Sequence, residues 1–315
     1  MSVINTYTST GVKLLHHPNV ISNMQTNGYM TPISLQVAPT SRCNLNCSFC
    51  SNANREKHED LDWVKFNIAL RKLVSVGLQT VEWTGGGDPT MYDRINDLMI
   101  LADAEGLQQG MISNGILVKE KIHPDNLARL TWLRISMNSL DYVDDIDLDL
   151  PTFKGTLGFS YVWNEKTTDA ILDLVRIYAD RYDAKYIRIV PDCQATREEQ
   201  ERNNRELGQK VSLLGGRFFF QPKRFDSPKR CWWCYLKPFI LHDGFVYPCS
   251  SVVLNSTSDY TFHEKFRWCN MEDLYYKYMR KADALNVEYC DHCVFKEQND
   301  MVEGIFNPTG MENFI

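Results

Sequence analysis

The chain has 315 residues, 43% of them hydrophobic, and a formal net charge of −6 at pH 7. That apolar content can build a substantial core and excludes a mainly disordered chain, while the negative balance supplies no basic field to attract a nucleic acid. No stretch approaches the apolar length that crosses a bilayer, and the start MSVINTYTSTGVKLLHHPNV has no basic region followed by a long apolar run, so a cytoplasmic protein with no membrane or nucleic-acid partner is expected.

Residues 1–32 read as an N-terminal extension, short for a separate peptide-recognition domain. The first strand is expected in ISLQVAPT, from Ile33. A helix follows in LDWVKFNIALRKLVSVG, with Trp63, Phe66, Leu70, Leu73 and Val74 on one face and Gly77 as its stop. Further apolar runs, QTVEWTGGG, QQGMISNG, TWLRISMNS, TLGFSYVWN and AKYIRIVPD, bring the candidate strands to six. Between the fourth and fifth, DYVDDIDLDLP is acidic and irregular. A helix starts at Thr167 or Thr168, carrying Ile171, Leu174, Val175 and Tyr178, and another starts at Thr196, whose partner Glu199 completes a capping box. Alternating strands and helices predict a mainly parallel sheet, open and doubly wound or curled into a barrel, with active groups at the carboxyl ends of the strands. Beyond about Pro222 the texture changes to dense cysteines, tryptophans and turn residues, which places a boundary near 222–230: residues 33–225 form the strand-helix domain and 226–315 a smaller cysteine-rich one.

The chain contains ten cysteines. Cys43, Cys47 and Cys50 stand too close together to be bridged to one another without strain, which favours metal ligation over disulfides. Three thiolates on one loop suit a 4Fe-4S cluster with one iron left open to bind a small molecule. Zinc is the competing reading, although structural zinc takes four closed ligands and His58, the nearest histidine, offers no standard spacing.

Cys43-Asn-Leu-Asn-Cys47-Ser-Phe-Cys50 resembles the Cys-x-x-x-Cys-x-x-Cys signature of the radical S-adenosylmethionine superfamily, and TGGGDPT resembles that family's Gly-Gly-Glu-Pro segment. The resemblance implies a partial (β/α)6 TIM-like barrel. It also implies a cluster whose open iron is chelated by S-adenosylmethionine, with Phe49 against the adenine and Gly86 and Gly87 letting main-chain groups approach the ammonium. Asp88 stands where the family has the longer Glu. The segments Ser113–Gly115 and Ile135–Ser139 resemble those that border the ribose, making Ser136 and Asn138 candidates. Arg188, on the sixth strand, either makes a structural ion pair or contacts a carboxylate.

In CWWCYLKPFILHDGFVYPC, Asp243 and Gly244 separate two short apolar runs, a hairpin that delivers a cysteine from each arm; Cys290-Asp-His-Cys293 can close a four-thiolate site. The arrangement resembles the auxiliary-cluster domains SPASM and its shortened form, Twitch, in the spacing from Gly244 to Cys249. That resemblance implies a second 4Fe-4S cluster on Cys231, Cys249, Cys290 and Cys293, with Cys234 as the rival to Cys231. A zinc ribbon built on the two Cys-x-x-Cys pairs is the alternative. Cys193 and Cys269 are left over as buried thiols.

The combined resemblance implies reductive cleavage of S-adenosylmethionine to a 5′-deoxyadenosyl radical that takes hydrogen from a peptide or small-molecule substrate. The electron would come from a reduced flavodoxin- or ferredoxin-like donor, and the auxiliary cluster would assist oxidation or shape the pocket. Tyr161, Trp163, Cys193 and His242 are candidate pocket residues, with plain packing as the competing reading. A non-catalytic iron-sulfur electron carrier and a zinc-ribbon binding module are the alternatives from other functional classes.

Overall fold

The computed structural model describes residues 3–52, 58–224, 226–228, 230–251, 264–290, 293–311 and 313. Six strands form where the apolar runs predict them: β1 (Ser34–Val37), β2 (Thr80–Trp83), β3 (Gln108–Ser113), β4 (Leu130–Ser136), β5 (Thr156–Trp163) and β6 (Ile187–Pro191). A seventh, β7 (Phe218–Phe220), adds to β6; its three residues are too few to show a period of two. Each strand from β2 to β7 pairs in parallel with the one before it. The spatial order therefore follows the chain order, which makes a singly wound arc and decides for a partial barrel over a doubly wound sheet.

The connecting helices form as their end signals dictate. Asp62 accepts from Val64 N and Lys65 N at the start of Trp63–Ser75, Thr168 caps Asp169–Arg181, and Thr196 with Glu199 makes a full capping box on Arg197–Leu214. In the first of these, Phe66, Ala69, Leu70 and Leu73 are buried. A short 3-10 turn, Met137–Asp141, leads from β4 into the acidic stretch, which is irregular; Ile146 and Leu148 are nevertheless buried.

Along the strands, apolar residues turn outward under the helices, as with Leu133 and Ile135 of β4 and Ile187 and Ile189 of β6. Their polar neighbours Arg134, Ser136 and Arg188 are only half-buried. This alternation ordinarily marks a sheet with one face in solvent, but here several of the inward residues face an internal cavity.

The C-terminal region contributes β8 (Arg230–Cys231), β9 (Phe239–Ile240), β10 (Phe245–Tyr247), β11 (Cys269–Asn270) and β12 (Leu285–Asn286). The expected hairpin is present as antiparallel β9 and β10, with Asp243 Oδ1 accepting from Phe245 N at 2.9 Å and Gly244 at φ +79°. β9 also pairs in parallel with β1, on the edge away from β2, so a ten-stranded sheet continues across residues 222–230. β8 and β12 form a separate two-stranded ladder. Helix Lys296–Phe306 packs nearby, with Phe306 stacked on Trp232 at 4.2 Å between ring centroids. Among the described residues, no helix is long and apolar enough to cross a membrane.

Candidate functional site

The Cys43–Cys50 loop leaves the carboxyl end of β1 and is held from below by the glycine run that follows β2. Thr84 N donates to Val37 O, Gly87 N to Thr40 O and Asp88 N to Arg42 O, each at 2.8 Å. A Cβ on Gly87 would lie 1.8 Å from the Arg42 carbonyl oxygen, so only glycine lets the two loops meet. Asn52 Nδ2 donates to Gly86 O at 2.8 Å, closing the far end of the cysteine loop onto the same segment. His242 lies against Gly86, and its Nδ1 is 2.9 Å from Glu59.

The three thiols share one electrostatic environment. Burial foremost, and then Cys50, push the Cys47 thiol up to about 11; Cys43 and Asp141 add to the shift, and a hydrogen bond with Tyr142 opposes it. Asn114, in the loop after β3, donates through Nδ2 to Cys43 Sγ at 3.8 Å and to Asn44 Oδ1 at 2.6 Å. Phe49 is buried, and its carbonyl accepts from Cys193 Sγ at 3.7 Å.

Asp88 is almost fully buried, and both carboxylate oxygens are engaged: Oδ1 accepts from Thr90 N, Thr90 Oγ1 and Ser113 Oγ, while Oδ2 accepts from Asn114 N at 2.7 Å and from Ser113 Oγ. Its shorter side chain therefore braces the loop after β2 against the loop after β3. Asn138 works in the same way between β4 and β5, accepting from Val162 N at 2.6 Å and donating to Val162 O and Asp141 Oδ2 at 3.0 Å. Ser136 ends β4 on the inward face.

Inside the arc lies a cavity of about 590 Å³. Ser51 and Cys193 border it near the cysteine loop, while Gln36, Glu82, Arg134 and Arg188 project from the strands. Thr6, Tyr7, Ser9 and Lys13 line its other end, where Thr131 lies in the first residues of β4 and Thr156 begins β5. Tyr7 stacks on Tyr186 at 4.3 Å, and Ser9 O accepts from Gln298 Nε2 at 2.9 Å, so the N-terminal segment is wedged between the barrel and helix Lys296–Phe306. Of the four candidate pocket residues, only Cys193 lines this cavity. Tyr161 is fully buried and donates to Asp141 Oδ1 at 2.8 Å. Trp163 lies beneath Lys210, and His242 lies at the glycine loop.

A second, smaller cavity is lined by Cys231, Cys249, Cys290 and Cys293, together with Asn299. Cys234 is wholly buried and does not line it; its Sγ donates to Cys231 O at 3.4 Å. Hydrogen bonds, led by the one from Cys234, lower the Cys231 pKa, whereas burial raises that of Cys234. Asn299 Nδ2 donates to Cys293 Sγ at 3.7 Å, and its Oδ1 accepts from Trp232 N and Trp233 N. Ser251, Val294 and Phe295 line both cavities and form a shared wall.

Residues 37–147, which carry the cysteine loop, the glycine run and the ends of β3 and β4, match the Radical SAM superfamily family. This segment is a radical SAM domain. Curated relatives of the radical SAM segment include the S-adenosylmethionine-dependent nucleotide dehydratase of Thermoplasmatales archaeon (strain ISO4-H5), 28% identical over 34% of this chain and 38% of that protein. The GTP 3',8-cyclase of Geobacter sulfurreducens is 34% identical over 34% of each chain, and the PqqA peptide cyclase of Gluconobacter oxydans is 28% identical over 35% of this chain and 31% of its own. The match thus spans about a third of the length of these relatives, all of which are enzymes by name.

Among solved structures, Streptococcus suis SuiB bound to S-adenosylmethionine aligns with a TM-score of 0.55 at 17% identity, covering 84% of this chain and 70% of that one. Native anSMEcpe with bound AdoMet and Kp18Cys peptide gives 0.54 at 14% identity, covering 88% and 84%. At such identities the likeness is one of fold, and it extends well past the radical SAM domain into the C-terminal region.

The donor chemistry fits iron-sulfur clusters. Thiols gather in two places, and the side-chain amides of Asn114 and Asn299 are directed at sulfur, the kind of hydrogen bond that tunes a cluster's potential. Among the described residues, no three Cys, His, Asp or Glu side chains are gathered to hold one metal ion. A cubane makes a different demand, because each thiolate meets its own iron.

Proposed function

We propose that the chain is a radical S-adenosylmethionine enzyme in which Cys43, Cys47 and Cys50 hold a 4Fe-4S cluster at the cavity mouth. The observation that carries the reading is the three-cysteine loop, locked to the glycine run at Gly87 and opening beside a cavity large enough for a small molecule or a peptide residue. When bound and reduced, the cluster with S-adenosylmethionine on its open iron supplies a 5′-deoxyadenosyl radical that takes a hydrogen atom from substrate.

The chain's own residues place and shield. Gly86 and Gly87 leave room for the amino-acid part of the cofactor, and Phe49 offers a face to its adenine. Asp88 keeps the Ser113–Asn114 loop over the cluster, while Ser136 and Asn138 shape the ribose side. Cys231, Cys249, Cys290 and Cys293 hold an auxiliary cluster behind the shared wall of Ser251, Val294 and Phe295, and it exchanges an electron with a substrate in the barrel or shapes the pocket. The substrate is a small molecule or a peptide side chain; nucleotide- and peptide-acting enzymes both stand among the relatives. A reduced ferredoxin- or flavodoxin-like protein supplies the electron.

Anaerobic reconstitution followed by reduction with dithionite tests this. About eight irons per chain and release of 5′-deoxyadenosine with methionine are expected, with release abolished in Cys47→Ala. Brown protein that never cleaves the cofactor points instead to an electron carrier, and a colourless zinc-loaded protein overturns the reading.

A further inference from the structure

Charge is distributed against the trend of the molecule. The chain carries −6 overall, yet among the described residues the charged ones lining the barrel cavity are five cations, Lys13, Arg134, Arg188, Lys223 and Lys237, and one carboxylate, Glu82. Three of the cations are occupied. Lys237 Nζ lies 2.6 Å from Glu82 and donates to Ser9 Oγ, and Lys13 Nζ donates to Thr6 O at 2.9 Å. Arg134 donates to Tyr186 Oη and Tyr7 O, each at 3.0 Å, and lies over the rings of Trp132 and Tyr186.

Arg188 and Lys223 remain. Arg188 Nε is buried without a hydrogen-bond partner. Burial, and after it the neighbouring Arg134, disfavour the charge on Arg188, with Tyr186 acting the other way. Lys223 is likewise disfavoured, by burial foremost; Cys193 acts the other way, Arg188 adds a smaller lowering effect, and Asp192 a smaller opposing one. A guanidinium whose Nε is buried as an open donor, with a lysine beside it, is costly unless an anion joins them. Arginine presents donors in the fork that matches a carboxylate or phosphate.

We propose that the barrel cavity receives a substrate bearing an oxyanion, a phosphate or a carboxylate, seated on Arg188 and Lys223. This rests on the reading that substrate occupies the cavity below the cysteine loop. Arg188 neighbours Arg134, which is tied to Tyr7 at the amino end of the barrel. Lys223 lies beside Cys193, toward the cysteine loop, so an anion held by both cations sits midway along the cavity, with Ser51 within the same space.

The test uses cluster-loaded protein saturated with S-adenosylmethionine and titrated by calorimetry with inorganic pyrophosphate, with acetylglycylglycine, and with the neutral amide of that dipeptide. One of the two anions is expected to bind and the amide not to; pyrophosphate binding identifies a phosphate substrate and dipeptide binding a carboxylate. Arg188→Met should weaken that anion by about tenfold or more, Lys223→Met by several-fold, and Arg188→Lys should recover part of the loss. The half-buried Lys223 keeps the test open if Arg188→Met does not fold. Failure of both anions to exceed the amide, or equal binding in all variants, overturns the proposal. So does a loss in Arg188→Met confined to S-adenosylmethionine affinity, since the anion would then be the cofactor's own carboxylate. Release of 5′-deoxyadenosine by the wild-type preparation is read in parallel: absence of release sinks the underlying enzyme reading, whereas release without anion binding sinks only this inference.

Discussion

The carbonyl oxygen of Arg42 lies where a side chain on Gly87 would begin, and the cysteine loop is anchored across that contact. Gly87→Ala must break the paired bonds from Gly87 N and Asp88 N, a loss of about 2–3 kcal/mol. The expected outcome is an early melt and retention of about half the iron, with the remainder in the C-terminal site. Gly304→Ala is the matched control: nothing lies within 4 Å of the added methyl, inside helix Lys296–Phe306, so stability should be unchanged or slightly raised. At the second site, the two cysteines of one Cys-x-x-Cys pair should separate sharply. Cys231 lines the small cavity and Cys234 does not, so Cys231→Ser should halve the iron content and bleach the matching absorbance, whereas Cys234→Ser should leave both near wild type. The reverse pattern would show that Cys234 is the ligand, and equal losses would refute the distinction. Spacing alone could not rank these two residues, because what distinguishes them is which way each sulfur turns once Trp232 N and Trp233 N are fixed by Asn299.

At the level of elements, the strands and their order were legible because apolar runs recur at lengths that suit strands, and the helix starts were legible because Thr168 and Thr196 carry capping chemistry. Thr196→Ala removes one side of the capping box on Arg197–Leu214 and should cost about 1 kcal/mol, read as faster amide exchange in the first turn of that helix with cofactor cleavage unchanged. What escaped the sequence is the meaning of the inward polar positions. Glu82, Arg134 and Arg188 each occupy the polar half of an alternating strand, the same pattern that a solvent-facing sheet would show. Only the curling of the arc puts them into one enclosed space with Lys13, Lys223 and Lys237, which lie on segments with no period to read. The cysteine and glycine motifs were visible because they are local; the charge constellation was not, because it is assembled from six stretches of chain.

For the molecule as a whole, the expected partition near residues 222–230 describes the composition better than the backbone. The hydrogen-bonded ladder passes from β2 through β1 to β9 and β10, so the cysteine-rich part is joined to the barrel by its central sheet as well as by its linker. An allosteric hinge at this point would have to tear main-chain hydrogen bonds at Gln36 and Ala38. A fragment ending near residue 225 would expose the outer rim of β1, an unprotected template for strand addition, and should precipitate or self-associate. Shortened versions intended to isolate the barrel chemistry would thus fail for a colloidal reason before any question of catalysis arose.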